Sequence, residues 1–280
     1  MKKVLTLLMT LVLLLAACGD KKDDKKVTVG IASNDTAVWD KVAELAKKED
    51  INVEVKQFSD YNVPNKALSD GDIDLNSFQH FAFLDQFQRA NKGTEITPIR
   101  TTVFAPLGIY SNQIKDIKNL KDGAKVVIPN DVSNQARALK LLEKAGYIKL
   151  KKDFGLDGGP KDIVENKKNL NIKAVDAQQT ARALDEVDIA IINNGVASKA
   201  GLNPKKDPIY SENPDANAAK PYINFIAANT KDKDNKTLKR VAELYHSEEA
   251  KEALKEDTKD GEIVVDLKQE EIKEIQDSLK

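Results

Sequence analysis

Val27-Thr28-Val29-Gly30-Ile31 is a β-rich run, Ser33-Asn34-Asp35-Thr36 after it offers helix-capping residues, and Val38, Val42, Leu45 and Ala46 then recur at helical spacing. A second β-rich run occupies residues 52–58, so the mature chain opens as strand, capped helix, strand. The alternation continues through β-rich runs at 73–78, 126–129, 172–175 and 188–192, separated by helical patterns. Such alternation predicts α/β layers with mainly parallel sheets. Late helices are expected at 233–255 and 269–279. No self-similar period of about 20 to 50 residues is present, which argues against a solenoid.

The apolar strands fall into two sets, and the folded length exceeds the usual size of one core. Two lobes are therefore predicted, residues 27–107 plus 221–280 and residues 108–220, with the apolar strand Tyr222-Ile223-Asn224-Phe225-Ile226-Ala227-Ala228-Asn229 re-entering the first. A chain that crosses twice between lobes makes a hinge, and a ligand then binds in the cleft.

With 41% hydrophobic and 32% charged residues, the chain is too polar for a channel or permease. Its 44 Lys+Arg against 45 Asp+Glu leave a formal charge of −1, so no basic field points to nucleic acid. One cysteine and two distant histidines, His80 and His246, provide little for a zinc or copper site, and no cofactor is expected.

Met1-Lys2-Lys3, the apolar stretch 4–15 and Ala16-Ala17 read as a secretion signal over residues 1–17, too short for a spanning helix of about 20 residues. Leu15-Ala16-Ala17-Cys18-Gly19 resembles a bacterial lipobox, in which Cys18 becomes an acylated N-terminus. More than one acyl chain is needed for stable anchoring. The polar run through residue 26 reads as a flexible tether, holding the body at the extracytoplasmic face of a cell membrane.

Motifs for catalysis are missing: there is no Gly-x-Ser-x-Gly, no phosphate loop and no Gly-x-Gly-x-x-Gly. Gly155-Leu156-Asp157-Gly158-Gly159 has the wrong spacing and reads as a turn. Asp70-Gly71-Asp72-Ile73-Asp74 opens like a calcium loop but continues with Leu75 and Phe81 where glycine and glutamate are needed.

Several polar-aromatic strings carry a resemblance. Asp60-Tyr61-Asn62-Val63-Pro64-Asn65-Lys66-Ala67-Leu68, Gly71-Asp72-Ile73-Asp74-Leu75-Asn76-Ser77-Phe78-Gln79-His80, Phe104-Ala105-Pro106-Leu107-Gly108-Ile109-Tyr110-Ser111 and Ile128-Pro129-Asn130-Asp131-Val132-Ser133-Asn134-Gln135-Ala136-Arg137 resemble the NlpA-type lipoproteins, methionine-binding lipoproteins of ABC importers. The likeness resumes in Ala200-Gly201-Leu202-Asn203-Pro204, Pro221-Tyr222-Ile223-Asn224 and Tyr245-His246-Ser247-Glu248-Glu249, spanning nearly the whole mature chain. It implies a two-lobed, type II periplasmic-binding-protein-like fold. The partners it implies are an ABC permease with its ATPase, and the expected state is a monomer.

By this resemblance Arg137 binds the carboxylate of an amino-acid ligand, a task suited to a two-pronged guanidinium. Asn134 assists from the same helix start, where Asp131 or Ser133 can cap. Asn193, in an Asn-Asn-Gly string that could equally be a tight turn, and Asn224, in an apolar strand, are further ligand contacts. Tyr61, Phe78 and His80 line a thioether pocket in a chain with only 5% aromatics, whereas Phe81 and Phe83 read as core. Residues 134–136 and 193–197 depart from the usual family pattern, and the linker 211–220 is longer than typical. L-methionine is therefore the first-choice ligand, followed by D-methionine or a methionine-containing dipeptide. Two other classes remain open: an anchored enzyme using His80 as general base, and an adhesive lipoprotein indifferent to Arg137.

Overall fold

The computed structural model describes residues 25–32, 36–213 and 216–280. The secretion signal, Cys18, most of the tether and the Ser33-Asn34-Asp35 cap lie outside these residues.

The first part of the chain runs β1 (Lys25–Ile31), α1 (Thr36–Lys47), β2 (Ile51–Gln57), α2 (Pro64–Asp70), β3 (Leu75–His80), α3 (Phe81–Ala90) and β4 (Ile96–Phe104). A second group follows, with β5 (Gly108–Tyr110), β6 (Lys125–Pro129), α4 (Val132–Lys144), β7 (Ile148–Leu150), β8 (Ile163–Asn166), β9 (Asn171–Val175), β10 (Ile189–Ile192), α5 (Asn194–Lys199) and β11 (Tyr210–Ser211). The chain then returns through β12 (Ile223–Asn229), α6 (Lys236–Leu244), α7 (Glu248–Asp257), β13 (Ile263–Val264) and α8 (Gln269–Ser278).

One sheet has the order β13-β4-β12-β3-β1-β2 and the other β11-β5-β10-β6-β9, with β7 and β8 pairing apart. Both sheets are mixed, which corrects the expectation of mainly parallel sheets. β1 lies parallel to β2 and β3, but β12 runs antiparallel to β3 and β4, and β5 runs antiparallel to β10 and β11. Residue patterning identifies a strand without giving its direction, which depends on the end of the sheet to which the connection delivers the chain. Here β12 arrives from the other sheet and enters head-down between β3 and β4.

Two further expectations need correction. The tether does not reach Lys26, because Lys25 and Lys26 already pair with Ile51 and Asn52, and Lys26 meets Glu54 at 3.0 Å. Backbone pairing asks nothing of side-chain polarity where the side chains are exposed. The helix expected over 233–255 is two helices, α6 and α7, because the Ser247 hydroxyl accepts the Ala250 N–H and Glu248 and Glu249 favour a new N-terminus.

Each sheet is covered by apolar side chains. Val27, Val29 and Ile31 of β1 pack on Trp39, Val42 and Ala46 of α1 and on Val241 and Leu254 of the late helices. Trp39, fully buried, lies 5.5 Å from the Tyr245 ring. Beneath the opposite face, Phe81 packs against Phe225 with centroids 4.8 Å apart. The second sheet buries Ile109, Ile128 and Ile191 against Leu139 and Leu142 of α4. The chain passes between sheets twice, from β4 to β5 and from β11 back to β12, and these crossings frame the site.

Candidate functional site

β3 ends at His80, whose imidazole caps α3: the Phe83 N–H donates to His80 Nδ1 at 3.1 Å. With Nδ1 accepting, Nε2 carries the proton and donates to Asn134 Oδ1 at 3.2 Å, across from the first sheet to α4. Asn134 is held in turn by Asp131, the N-cap of α4, whose Oδ1 accepts from the Asn134 backbone N–H at 3.0 Å and from Nδ2 at 2.8 Å. Burial raises the Asp131 carboxyl above the ordinary aspartate range. Asn193 Nδ2 donates to the same Asn134 Oδ1 at 3.0 Å. Asn134 thus joins β3, α4 and the end of β10 in one amide-imidazole network.

One cavity is lined by all seven residues named from the sequence as ligand contacts: Tyr61, Phe78, His80, Asn134, Arg137, Asn193 and Asn224. Asn224 is only half-buried, standing where β12 breaks register opposite His80, so it needs no sealed partner. The Asn-Asn-Gly string is not a tight turn: Asn193 precedes α5 and Asn194 is its first residue.

Phe83, expected in the core, is buried in a cluster with Ala32 and Phe78, and it also forms part of the cavity wall. The His80 cap turns the first turn of α3 back over the site, placing Phe83 edge-on to Phe78 at 5.6 Å and to Tyr61 at 6.2 Å. Tyr61 and Phe78 are 6.0 Å apart, so three rings enclose one apolar corner.

Arg137 departs from expectation in its bonding. Its two-pronged edge is already occupied, with Nε donating to Glu212 Oε1 at 2.8 Å and Nη2 to Glu212 Oε2 at 2.5 Å. Nη2 also donates to Ala105 O at 2.9 Å. Among the described residues Nη1 has no hydrogen-bond partner. The guanidinium lies 4.5 Å from the Tyr222 ring centroid and 5.5 Å from that of Phe104.

Further bonds close the two parts of the chain around the cavity. Asn194 Nδ2 donates to Gly261 O at 2.9 Å, Gln178 Nε2 to Ala32 O at 3.2 Å and Ser198 Oγ to Asp257 O at 3.4 Å. Gln79, Asn194 and Glu262 also line the wall and were not named from the sequence. Glu262 precedes the short β13 and Glu212 lies in the returning linker, where no periodicity marks either.

His80 sets a pH dependence. Burial and then the Arg137 charge pull its pKa from 6.5 down to about 3, against the opposing Asn134 hydrogen bond. The unfolded chain therefore takes up the proton first, and stability falls as pH drops from 6.5 toward 3. Wild type should lose about 2 kcal/mol of unfolding free energy between neutral pH and about pH 5 that His80→Asn, which preserves a cap acceptor, does not lose. Urea titrations at both pH values check this, and equal pH slopes would exclude a buried neutral His80.

Comparison with known proteins agrees with the fold. Residues 27–265 match the model of the NlpA lipoprotein family. The D-methionine-binding lipoprotein MetQ of Salmonella typhimurium is 42% identical over 86% of this chain and 89% of its own. Protein PG110 from Staphylococcus aureus superposes with a TM-score of 0.89 at 68% identity, covering 91% of this chain and all of that one. A nutrient-binding protein from Burkholderia cenocepacia bound to methionine superposes with a TM-score of 0.80 at 41% identity, covering 86% of this chain and 99% of its own. The chain belongs to the NlpA lipoprotein family.

Proposed function

We propose that this protein is the substrate-binding lipoprotein of an ABC transporter, that it captures methionine, L-methionine in first place, and that it delivers the ligand to a permease driven by a separate ATPase. Anchoring is through Cys18 at the extracytoplasmic face of the membrane, and the protein acts as a monomer. The observation that carries the reading is one cavity combining an arginine nitrogen, buried amide acceptors and an aromatic corner. Arg137 Nη1 receives the ligand carboxylate. The Oδ1 atoms of Asn193 and Asn194 are buried without a hydrogen-bond partner among the described residues, and a buried acceptor left so costs about 1–3 kcal/mol. An α-ammonium group supplies the missing donor, and Glu262 adds negative charge to the same wall. The thioether lies against Tyr61, Phe78 and Phe83, where sulfur beside a ring edge gains about 0.3–1.5 kcal/mol.

Geometry disfavours an enzyme built on His80. Its Nδ1 lone pair accepts the Phe83 N–H, and Nε2 carries a proton, so neither nitrogen is free to remove one from a substrate. The test is mass spectrometry of the full chain, purified in detergent without added amino acids, then denatured and its released small molecules identified. Methionine is expected, and chiral chromatography assigns its hand. A released methionyl dipeptide would keep the transport role and change the ligand, whereas an empty protein showing no thermal shift with any of these would overturn the reading.

A further inference from the structure

Glu212 lies in the segment that returns from the second sheet, 75 positions from Arg137, with its side chain only 16% exposed. Both of its oxygens are engaged: Oε1 accepts from Arg137 Nε, and Oε2 accepts from Arg137 Nη2 and from the Leu107 N–H at 2.8 Å. Leu107 and Ala105, which accepts from the same Nη2, belong to the outgoing crossing. One guanidinium-carboxylate pair therefore fastens both crossings to the helix that carries the ligand contact.

Guanidinium offers a carboxylate its strongest geometry along an edge bearing two nitrogens. Glu212 occupies the Nε/Nη2 edge and Ala105 O takes the other hydrogen of Nη2, so an incoming carboxylate meets Nη1 alone. It also meets a cation whose charge is already balanced by Glu212 at contact distance.

We propose that Glu212 is a positioning residue that sets the charge specificity of the site: by holding Arg137 and balancing its charge, it makes the cavity select a zwitterion over an anion of the same shape. This rests on the reading of Arg137 as the carboxylate contact. A ligand with its own ammonium group brings no net charge into the closed cavity. A ligand with only the carboxylate brings an uncompensated negative charge close to Glu212, which repels it.

The test is calorimetric titration of the full chain in detergent with three ligands of one skeleton: methionine, its α-hydroxy acid, which is a net anion, and methioninamide, which is a net cation. Wild type should bind methionine most tightly. Glu212→Gln should shift the ratio of hydroxy-acid to methioninamide affinity about tenfold toward the hydroxy acid. Glu212→Asp, which retains the charge, should weaken all three ligands and leave their order unchanged. If Glu212→Gln weakens all three by one common factor, Glu212 serves only structure and the proposal is overturned. Should wild type bind none of them, the methionine reading itself fails and this proposal with it; that result is distinct because it appears before any substitution.

Discussion

Arg137→Ala should abolish tight binding, lowering methionine affinity about 100-fold, and should also destabilise the fold by about 3 kcal/mol. The two effects have different origins. Affinity falls because Nη1 is lost, and charge-assisted hydrogen bonds contribute about 1.5–3 kcal/mol in a dry site. Stability falls because Glu212 loses two of its three N–H donors, keeping only the Leu107 N–H for a largely buried carboxylate. Removing one member of a buried pair is more costly than removing both. The double variant Arg137→Ala/Glu212→Ala should accordingly regain about half of the lost stability while binding stays lost. Calorimetric titration reports affinity, and fluorescence of Trp39, the sole tryptophan and fully buried, reports urea unfolding. Affinity within about threefold of wild type would remove Arg137 from the binding site.

Scarce aromatics mark Tyr61, Phe78 and His80, and a helix start that offers no local reason for an arginine marks Arg137, but their roles at a ligand are legible only through the resemblance to the NlpA-type lipoproteins. Glu212 could not be read in that way. Its meaning is a contact with a residue 75 positions away, and an acidic residue in a polar linker is indistinguishable by itself from a solvated one. Phe83 was legible as core, but its second role was not: a cavity wall is equally apolar, and the His80 cap that brings Phe83 to the site is a tertiary feature. Strands were legible as apolar runs, but the antiparallel entry of β12 was not, since direction is a property of the whole path.

Asn65→Ala should have the reverse balance of Arg137→Ala, lowering stability by about 3 kcal/mol while weakening binding about tenfold or less. Asn65 of α2 is fully buried beneath the cavity with Asn76 and Gln79 of β3. Its Nδ2 donates to Gln79 Oε1 at 2.7 Å, and its Oδ1 accepts from Asn76 Nδ2 at 2.9 Å and from Gln79 Nε2 at 2.6 Å. Gln79 Nε2 has a second acceptor in Asn76 Oδ1 at 3.1 Å, so truncation strands Gln79 Oε1 and Asn76 Nδ2 rather than the whole network. Two buried groups without partners at about 1–3 kcal/mol each account for the expected loss. The effect on ligand is indirect: β3 carries Phe78 and His80, and a loosened strand weakens the His80 bond to Asn134 that spans the two sheets. Equal losses of stability and of affinity would show that the amide network belongs to the binding surface, and a loss of stability below about 1 kcal/mol would show that solvent reaches it.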